Sequence, residues 1–386
     1  MHVLNTNQQE EWTRAVRRAR QYDFYFLPEY HVLAERRGEG EARLFVYEQA
    51  GYTIVLPLII RALADVSELP GWANTWRDAT SVYGYSGPLY SHENVPRGVV
   101  DRFQRALSGA LQELHAVSVF SRLHPLLPAQ TKLLDGLGEH QFGGATVAID
   151  LSAAPAEQRA HYNGTIKNRI NRLARSGITC ALDIEQRYLL EFVALYHETM
   201  HRVKAEQSYF FDPTYFYDLA KGLGPVLKLF IVKTPERQVI SGGLFTLCDG
   251  IVQYHLGGTR DAALRLSPTA LMFETVRLWA NQNGAHTLHL GGGVGGQPDS
   301  LFQFKAQFSR QTYKFATWRW IVRPEAYREL SERKHVWNSE RRLKPISPSF
   351  FPAYRCPAEP DAVPSALIAS AAASAASDHL LPVQDG

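Results

Sequence analysis

Residues 255–293 read HLGGTRDAALRLSPTALMFETVRLWANQNGAHTLHLGGG, and their order decides the fold class. An apolar segment ends in Gly257-Gly258 and a polar loop follows. Ser267-Pro268 then opens a helix, since proline is favoured in the first helical turn. Met272, Val276 and Trp279 recur at helical spacing and are expected to face inward. Asn283-Gly284 ends the helix, and His286 to Gly292 returns as a strand. Backbone N–H groups at such a helix start can hold an anion, though a plain strand-loop-helix connection has the same local pattern.

Upstream, the apolar runs Leu227–Lys233, Gln238–Leu247 and Ile251–Gly257 predict three strands. The segment 187–205 predicts an amphipathic helix with Phe192, Leu195, Tyr196, Thr199 and Val203 on one face. Residues 158–176 predict one basic helix. Ile166, Ile170 and Leu173 line one side of it, and Lys167, Arg169, Arg172 and Arg175 lie largely elsewhere. Such a helix either docks phosphate or presents a solvated face.

The first half repeats that order. A helix is expected over 8–21, with Trp12, Val16 and Ala19 on one side. Leu44–Tyr47 and Thr53–Ile60 form a hairpin around Gly51, and a helix begins near Pro96. Strands follow at VSVFSRLH and TVAIDL, and a last strand at Thr312–Val322. Small residues and a proline in LSAAPAEQ mark a break near 150–156. The segments are thus 1–150, 151–325, an extension at 326–356, and an Ala/Ser/Pro-rich tail at 357–386. That tail has too few large apolar side chains to offset its ordering entropy and is expected to be disordered.

Downstream, five glycines between Gly291 and Gly296 let backbone pass close to a substrate or simply build an irregular loop. They form neither a dinucleotide fingerprint nor a P-loop. Lys305 follows among Leu301, Phe302, Phe304 and Phe308. Buried there, its ammonium would need a partner or would stabilise an oxyanion; otherwise it snorkels to water. Tyr83, Tyr85, Arg202, Tyr209 and His255 add polar and aromatic density. No Ser-His-Asp order, HExxH or paired-carboxylate motif is present, which argues against a triad hydrolase or metalloprotease.

Composition narrows the class. The 386 residues are 45% hydrophobic, enough for a large core, and the formal net charge of +3 permits a phosphate-bearing partner without demanding one. The three cysteines, Cys180, Cys248 and Cys356, are widely spaced, which speaks against a disulfide framework or zinc site and fits a reducing compartment. The start of the chain lacks an apolar signal region, and the longest apolar run, Ile54–Ile60, is broken by Pro57. A cytoplasmic protein without a membrane span is expected, with no tightly bound cofactor, no metal and no DNA partner.

Taken together, SVYGYSGPLYS, TIKNRINRLARSGI, YHETMHRVKAEQSYFFDPTYF, ISGGLFTL, YHLGGT, SPTALMFETVRLWANQNGAHTLHLGG and LFQFKAQFS resemble the Fem-type (FemX-like) aminoacyltransferases of the GNAT superfamily, in the family's order over residues 22–320. The resemblance implies an α+β fold of two GNAT-like lobes side by side, each a mixed, mostly antiparallel sheet flanked by helices. It places the acyl acceptor in a cleft between them. It also implies transfer of an aminoacyl group from aminoacyl-tRNA to an amine, on a peptidoglycan precursor, a peptide or a small natural-product intermediate. Acyl-CoA as donor, or a non-catalytic RNA- or precursor-binding protein, are the alternatives. The catalytic residues implied are Lys305 and Phe304 of the final FK pair, with His255 as a further candidate. Tyr83, Tyr85, Arg202, Tyr209 and Asp299 would line the substrate, and Lys167, Arg169 and Arg172 would hold phosphates. Two departures stand out: Gly177–Tyr188 leaves no room for the helical-hairpin arm of some cell-wall members, and no [QR]xxGx[GA] loop of ordinary acetyl-CoA enzymes is found.

Overall fold

The computed structural model describes residues 1–66 and 75–360. The expected tail therefore lies, from residue 361 on, outside the described residues. The chain divides into two compact units, Met1–Arg61 with Arg77–Val322, and Ala62–Trp76 with the residues from Arg323 on.

In the first unit the strands are β1 (His2–Leu4), β2 (Glu41–Gln49), β3 (Tyr52–Ala62), β4 (Arg77–Thr80), β5 (Leu89–Tyr90), β6 (Ala116–Arg122), β7 (Glu139–Asp150), β8 (Thr179–Asp183), β9 (Leu227–Lys233), β10 (Val239–Cys248), β11 (Ile251–Thr259), β12 (Thr287–Gly292) and β13 (Thr312–Ile321). They form one sheet in the order β1-β2-β3-β4-β6-β13-β7-β12-β11-β10-β9-β8, with β5 pairing β3. β4–β6 and β11–β12 pair in parallel, while β1–β2, β2–β3, β3–β5, β6–β13, β13–β7, β7–β12, β11–β10, β10–β9 and β9–β8 pair antiparallel. The fold is α+β, with helices on both faces of this mixed sheet.

Period-two alternation assigns each face. On β2, Leu44 and Val46 join one core while Phe45 and Tyr47 join another. On β9, Leu229 and Ile231 point to the first core and Phe230 and Val232 to a third. The first core is continuous along the sheet, covered by the helices Gln9–Arg17, Pro28–Arg36, Leu189–Arg202 and Pro213–Leu223. The helix Arg97–Glu113 covers the opposite face of the N-terminal strands. The helices Gly164–Arg175 and Thr269–Gln282 cover that face of the C-terminal strands.

Two-residue turns set both long hairpins. Ala50-Gly51 and Asp249-Gly250 have positive φ at both positions, the twist-matched geometry for tight hairpins. The basic segment departs from expectation: it is two helices, Pro155–Ala160 and Gly164–Arg175. Asn163 breaks it, because its side chain accepts from the Thr165 N–H and so caps a new helix start. The first helix is shorter than 8–21 and stops at Arg17. Short strands β1, β4, β5 and β8 carry too few residues for a periodic signal.

In the second unit the helix Pro324–Glu340 is the main element. Tyr327 stacks on Phe351 at 5.7 Å and meets Tyr354 edge-on at 5.5 Å, which folds the following segment back against the helix. The Arg355 guanidinium donates to the Ala62 carbonyl at 3.0 Å.

Candidate active site

The parallel strands β11 and β12 pair over only three residues, Ile251–Gln253 with Thr287–His289, and then part. Irregularities on both strands follow the last rung. His255 is the extra residue of β11 opposite β10, since Tyr254 pairs Phe245 and Leu256 pairs Leu244. Leu290 is skipped between β12 and β7, and Gly291 has φ of 76°. Bulges bend a strand and re-aim its side chains, so the gap is built into the backbone.

Lys305 lies at the open end of this gap. The short helix Ser300–Ala306 carries it, capped by Asp299, which accepts from the Phe302 and Val294 N–H groups. The side chain is 5% exposed, and its Nζ donates to the Gly292 carbonyl at 2.6 Å and lies 5.7 Å from the Tyr254 ring centre. Burial pulls the ammonium from 10.5 down to about 8, and the Asp299 charge opposes that pull. A buried cation whose one hydrogen-bond partner among the described residues is a carbonyl has donor capacity left for a developing oxyanion.

An aromatic wall faces the gap from the N-terminal strands. Gly84, with φ of 121°, sits where a Cβ would come within 2.0 Å of the Tyr25 ring, so only glycine permits this close approach of the loop. That contact sets Tyr83 and Tyr85 on either side. Tyr83 lies 6.1 Å from Tyr209 and 6.1 Å from His255. Tyr85 lies 5.7 Å from His289 and 5.7 Å from Phe315. Burial pushes the Tyr83 hydroxyl up to about 12 and raises Tyr85 as well. His255 is held down to about 3 by burial, with Tyr215 Oη 3.5 Å from its Nε2. A ring that neutral suits a hydrogen-bond partner better than a proton acceptor.

Lys305, His255, Tyr83, Tyr85 and Tyr209 thus share one neighbourhood. Phe304 packs on Phe308 at 5.5 Å and Phe273 at 5.9 Å, on the helix side. Arg202 ion-pairs with Asp261 and donates to the Thr259 carbonyl at 3.1 Å, holding the loop after β11. Asp299 is occupied as the helix cap. On the basic helix, Lys167 donates to the Ala160 carbonyl at 2.7 Å. Arg169 and Arg172 have no ion-pair partner among the described residues. The start of that helix is tied to the Lys305 helix by the Asn163 N–H, which donates to the Gln307 carbonyl at 2.8 Å.

Sequence reasoning missed four contributors. His289 and Gln253 close the last rung of the gap. His124 and Asp23 form a fully buried pair at 3.1 Å beneath Tyr85 and Tyr25. The signal for His289 was present: in HTLHLGG, alternation places it on the face opposite Leu288 and Leu290. Among the described residues no three His, Cys, Asp or Glu side chains converge as a metal site, and no helix is long and apolar enough to cross a membrane.

Residues 160–306 match the family model described as acetyltransferase (GNAT) domain. Among solved structures, FemX superposes with a TM-score of 0.66 at 14% identity, over 85% of this chain and 99% of that one. A conserved protein of unknown function from Bacteroides thetaiotaomicron VPI-5482 gives 0.52 at 11% identity, over 82% and 98%. L-PGS from Bacillus licheniformis gives 0.51 at 14% identity, over 81% and 91%. No curated protein matches the sequence. These identities establish likeness of fold, and the gap between β11 and β12 falls inside the matched domain. The chain has a FemX-like fold, and residues 160–306 within it match an acetyltransferase (GNAT) domain.

Proposed function

We propose that the enzyme forms an amide by moving an aminoacyl group from aminoacyl-tRNA to the amine of a small-molecule or peptide acceptor, in the cytoplasm. The observation that carries acyl transfer is the Lys305 ammonium, buried at the mouth of the β11–β12 gap with donor capacity to spare. The acceptor nitrogen bonds to the acyl carbon, the carbon–oxygen bond to the donor breaks, and the nitrogen's proton goes to the departing oxygen. Lys305 stabilises the tetrahedral oxyanion in between, and the aromatic wall holds both reactants together.

What supports a tRNA donor is the basic helix Gly164–Arg175. Arg169 and Arg172, without an ion-pair partner among the described residues, suit phosphates, and the helix start is bonded to the Lys305 helix. The FemX-like fold agrees with that reading. The match to an acetyltransferase domain favours a second reading, an acyl-CoA donor.

Binding of bulk aminoacyl-tRNA across a salt series, with acetyl-CoA as competitor, tests the choice. Preference for charged over uncharged tRNA, weakening with salt, is expected. Saturable CoA binding without tRNA binding would replace the first reading with the second. Binding without transfer from either donor would leave a non-catalytic binding protein.

A further inference from the structure

His289 is fully buried on β12, directly opposite Gln253 at the last rung before the strands part. The two side chains are bonded, Nδ1 to Oε1 at 2.6 Å. The Gln253 amide is oriented independently, because its Nε2 donates to the Tyr254 carbonyl at 3.0 Å. Its Oε1 therefore faces the ring, and an amide oxygen only accepts. The ring proton must sit on Nδ1, which leaves a lone pair on Nε2. Among the described residues that Nε2 has no hydrogen-bond partner, although it is inaccessible to solvent.

None of the neighbouring groups donates to it. His124, 6.3 Å away between ring centres, has both nitrogens engaged: Nε2 to Asp23 at 3.1 Å, and Nδ1 accepting from the Leu126 N–H at 3.2 Å. Tyr85, 5.7 Å away, packs with its ring. The Lys305 ammonium donates to the Gly292 carbonyl and makes no hydrogen bond to this ring. A buried acceptor left unmade loses its full hydration, so its retention calls for a partner that arrives with a ligand.

We infer that His289 Nε2 accepts an N–H from the acceptor amine, seating it as the neutral nucleophile at the apex of the β11–β12 gap. This rests on the acyl-transfer reading. A neutral primary amine that donates one N–H to the ring has its own lone pair fixed in direction. The Lys305 cation nearby disfavours the ammonium form, so the same two residues hold the amine and keep it nucleophilic. Burial, His124 and Lys305 all hold the ring neutral, which preserves the acceptor.

Two variants separate this role from a structural one. His289→Asn retains a group that can donate to Gln253 and deletes the distal lone pair. His289→Gln places an amide oxygen near the Nε2 position and gives up the Gln253 bond. With aminoacyl-tRNA or acetyl-CoA as donor and a panel of primary amines, we expect the Asn variant to lose roughly 10- to 100-fold in kcat/KM for the amine. The Gln variant recovers most of that despite a lower Tm. An Asn variant with wild-type kcat/KM, or losses that simply track Tm, overturns the inference. If the wild type transfers from neither donor, the acyl-transfer reading falls and the ring is read directly by 15N NMR of histidine-labelled protein. A shift of the His289 Nε2 resonance with n-butylamine, and none with tetramethylammonium, which has no N–H, supports the acceptor role. A proton on Nε2, or the same response to both probes, defeats it.

Discussion

Gln253 and His289 are the last residues of β11 and β12 to face each other, and their side chains are bonded across that rung at 2.6 Å. The strands part at the point where this bond ends. Gln253→Ala leaves the Nδ1–H of a buried ring unpaired and frees the ring to turn. We expect a loss of about 1–3 kcal/mol in chemical denaturation and a larger proportional loss of turnover. Unchanged turnover at reduced stability would show that the rung is only a brace.

Lys305→Met tests the cost of a buried charge. Turnover should fall by about 10²- to 10³-fold, the scale of removing an oxyanion donor. Stability should move the other way. The folded-state pKa, about 8, lies below the ordinary 10.5, so the folded chain binds protons less well than the unfolded one. That penalty is fully present below about pH 8 and is relieved as pH rises toward 10.5. The Met variant should therefore be the more stable protein at pH 7, with the gap closing near pH 10.5. Denaturation curves at those two pH values check it.

The same residue shapes the pH profile. If the ammonium stabilises the oxyanion, kcat/KM should fall as pH rises through about 8. Lys305→Arg, which stays charged, should push that limb out of range even where its overall rate is lower. A limb that persists in the Arg variant would belong to another group.

Arg169→Gln with Arg172→Gln should leave folding intact, because Ile166, Ile170 and Leu173 carry the packing of that helix. If the two guanidiniums meet phosphates, the slope of log K against log salt for tRNA should shrink by roughly 0.7–0.9 per lost contact. An unchanged slope would return this helix face to solvent.

Gly84→Ala should be severe for so small a change. It combines a positive φ with a Cβ placed 2.0 Å from the Tyr25 ring. A loss above about 1 kcal/mol is expected, together with a raised KM from displaced Tyr83 and Tyr85. Denaturation and steady-state kinetics of the one variant measure both.

The readable parts of this chain were those with local signals. Pro268 and Gly284 bracket a helix, Gly51 marks a hairpin, and apolar runs mark the strands. Lys305 stood out because a charge within an aromatic segment is conspicuous. His124 and Asp23 did not, since 101 residues separate partners that meet only in the folded core. Arg202 and Asp299 look like free polar groups in a string of letters, and only the fold ties one to Asp261 and the other to a helix start. The break at Asn163 was legible as a cap, but the run of apolar and basic residues around it reads more strongly as one helix.

The position of β13 has a consequence for how the protein is made. This strand, residues 312–321, lies between β6 and β7, both of which leave the ribosome far earlier. Until it emerges, β6 and β7 each present an open edge, and such edges are templates for pairing with other chains. Synthesis halted before Thr312 should therefore yield not an inactive fragment of the same shape but an aggregation-prone intermediate, dependent on chaperones until the last strand closes the seam.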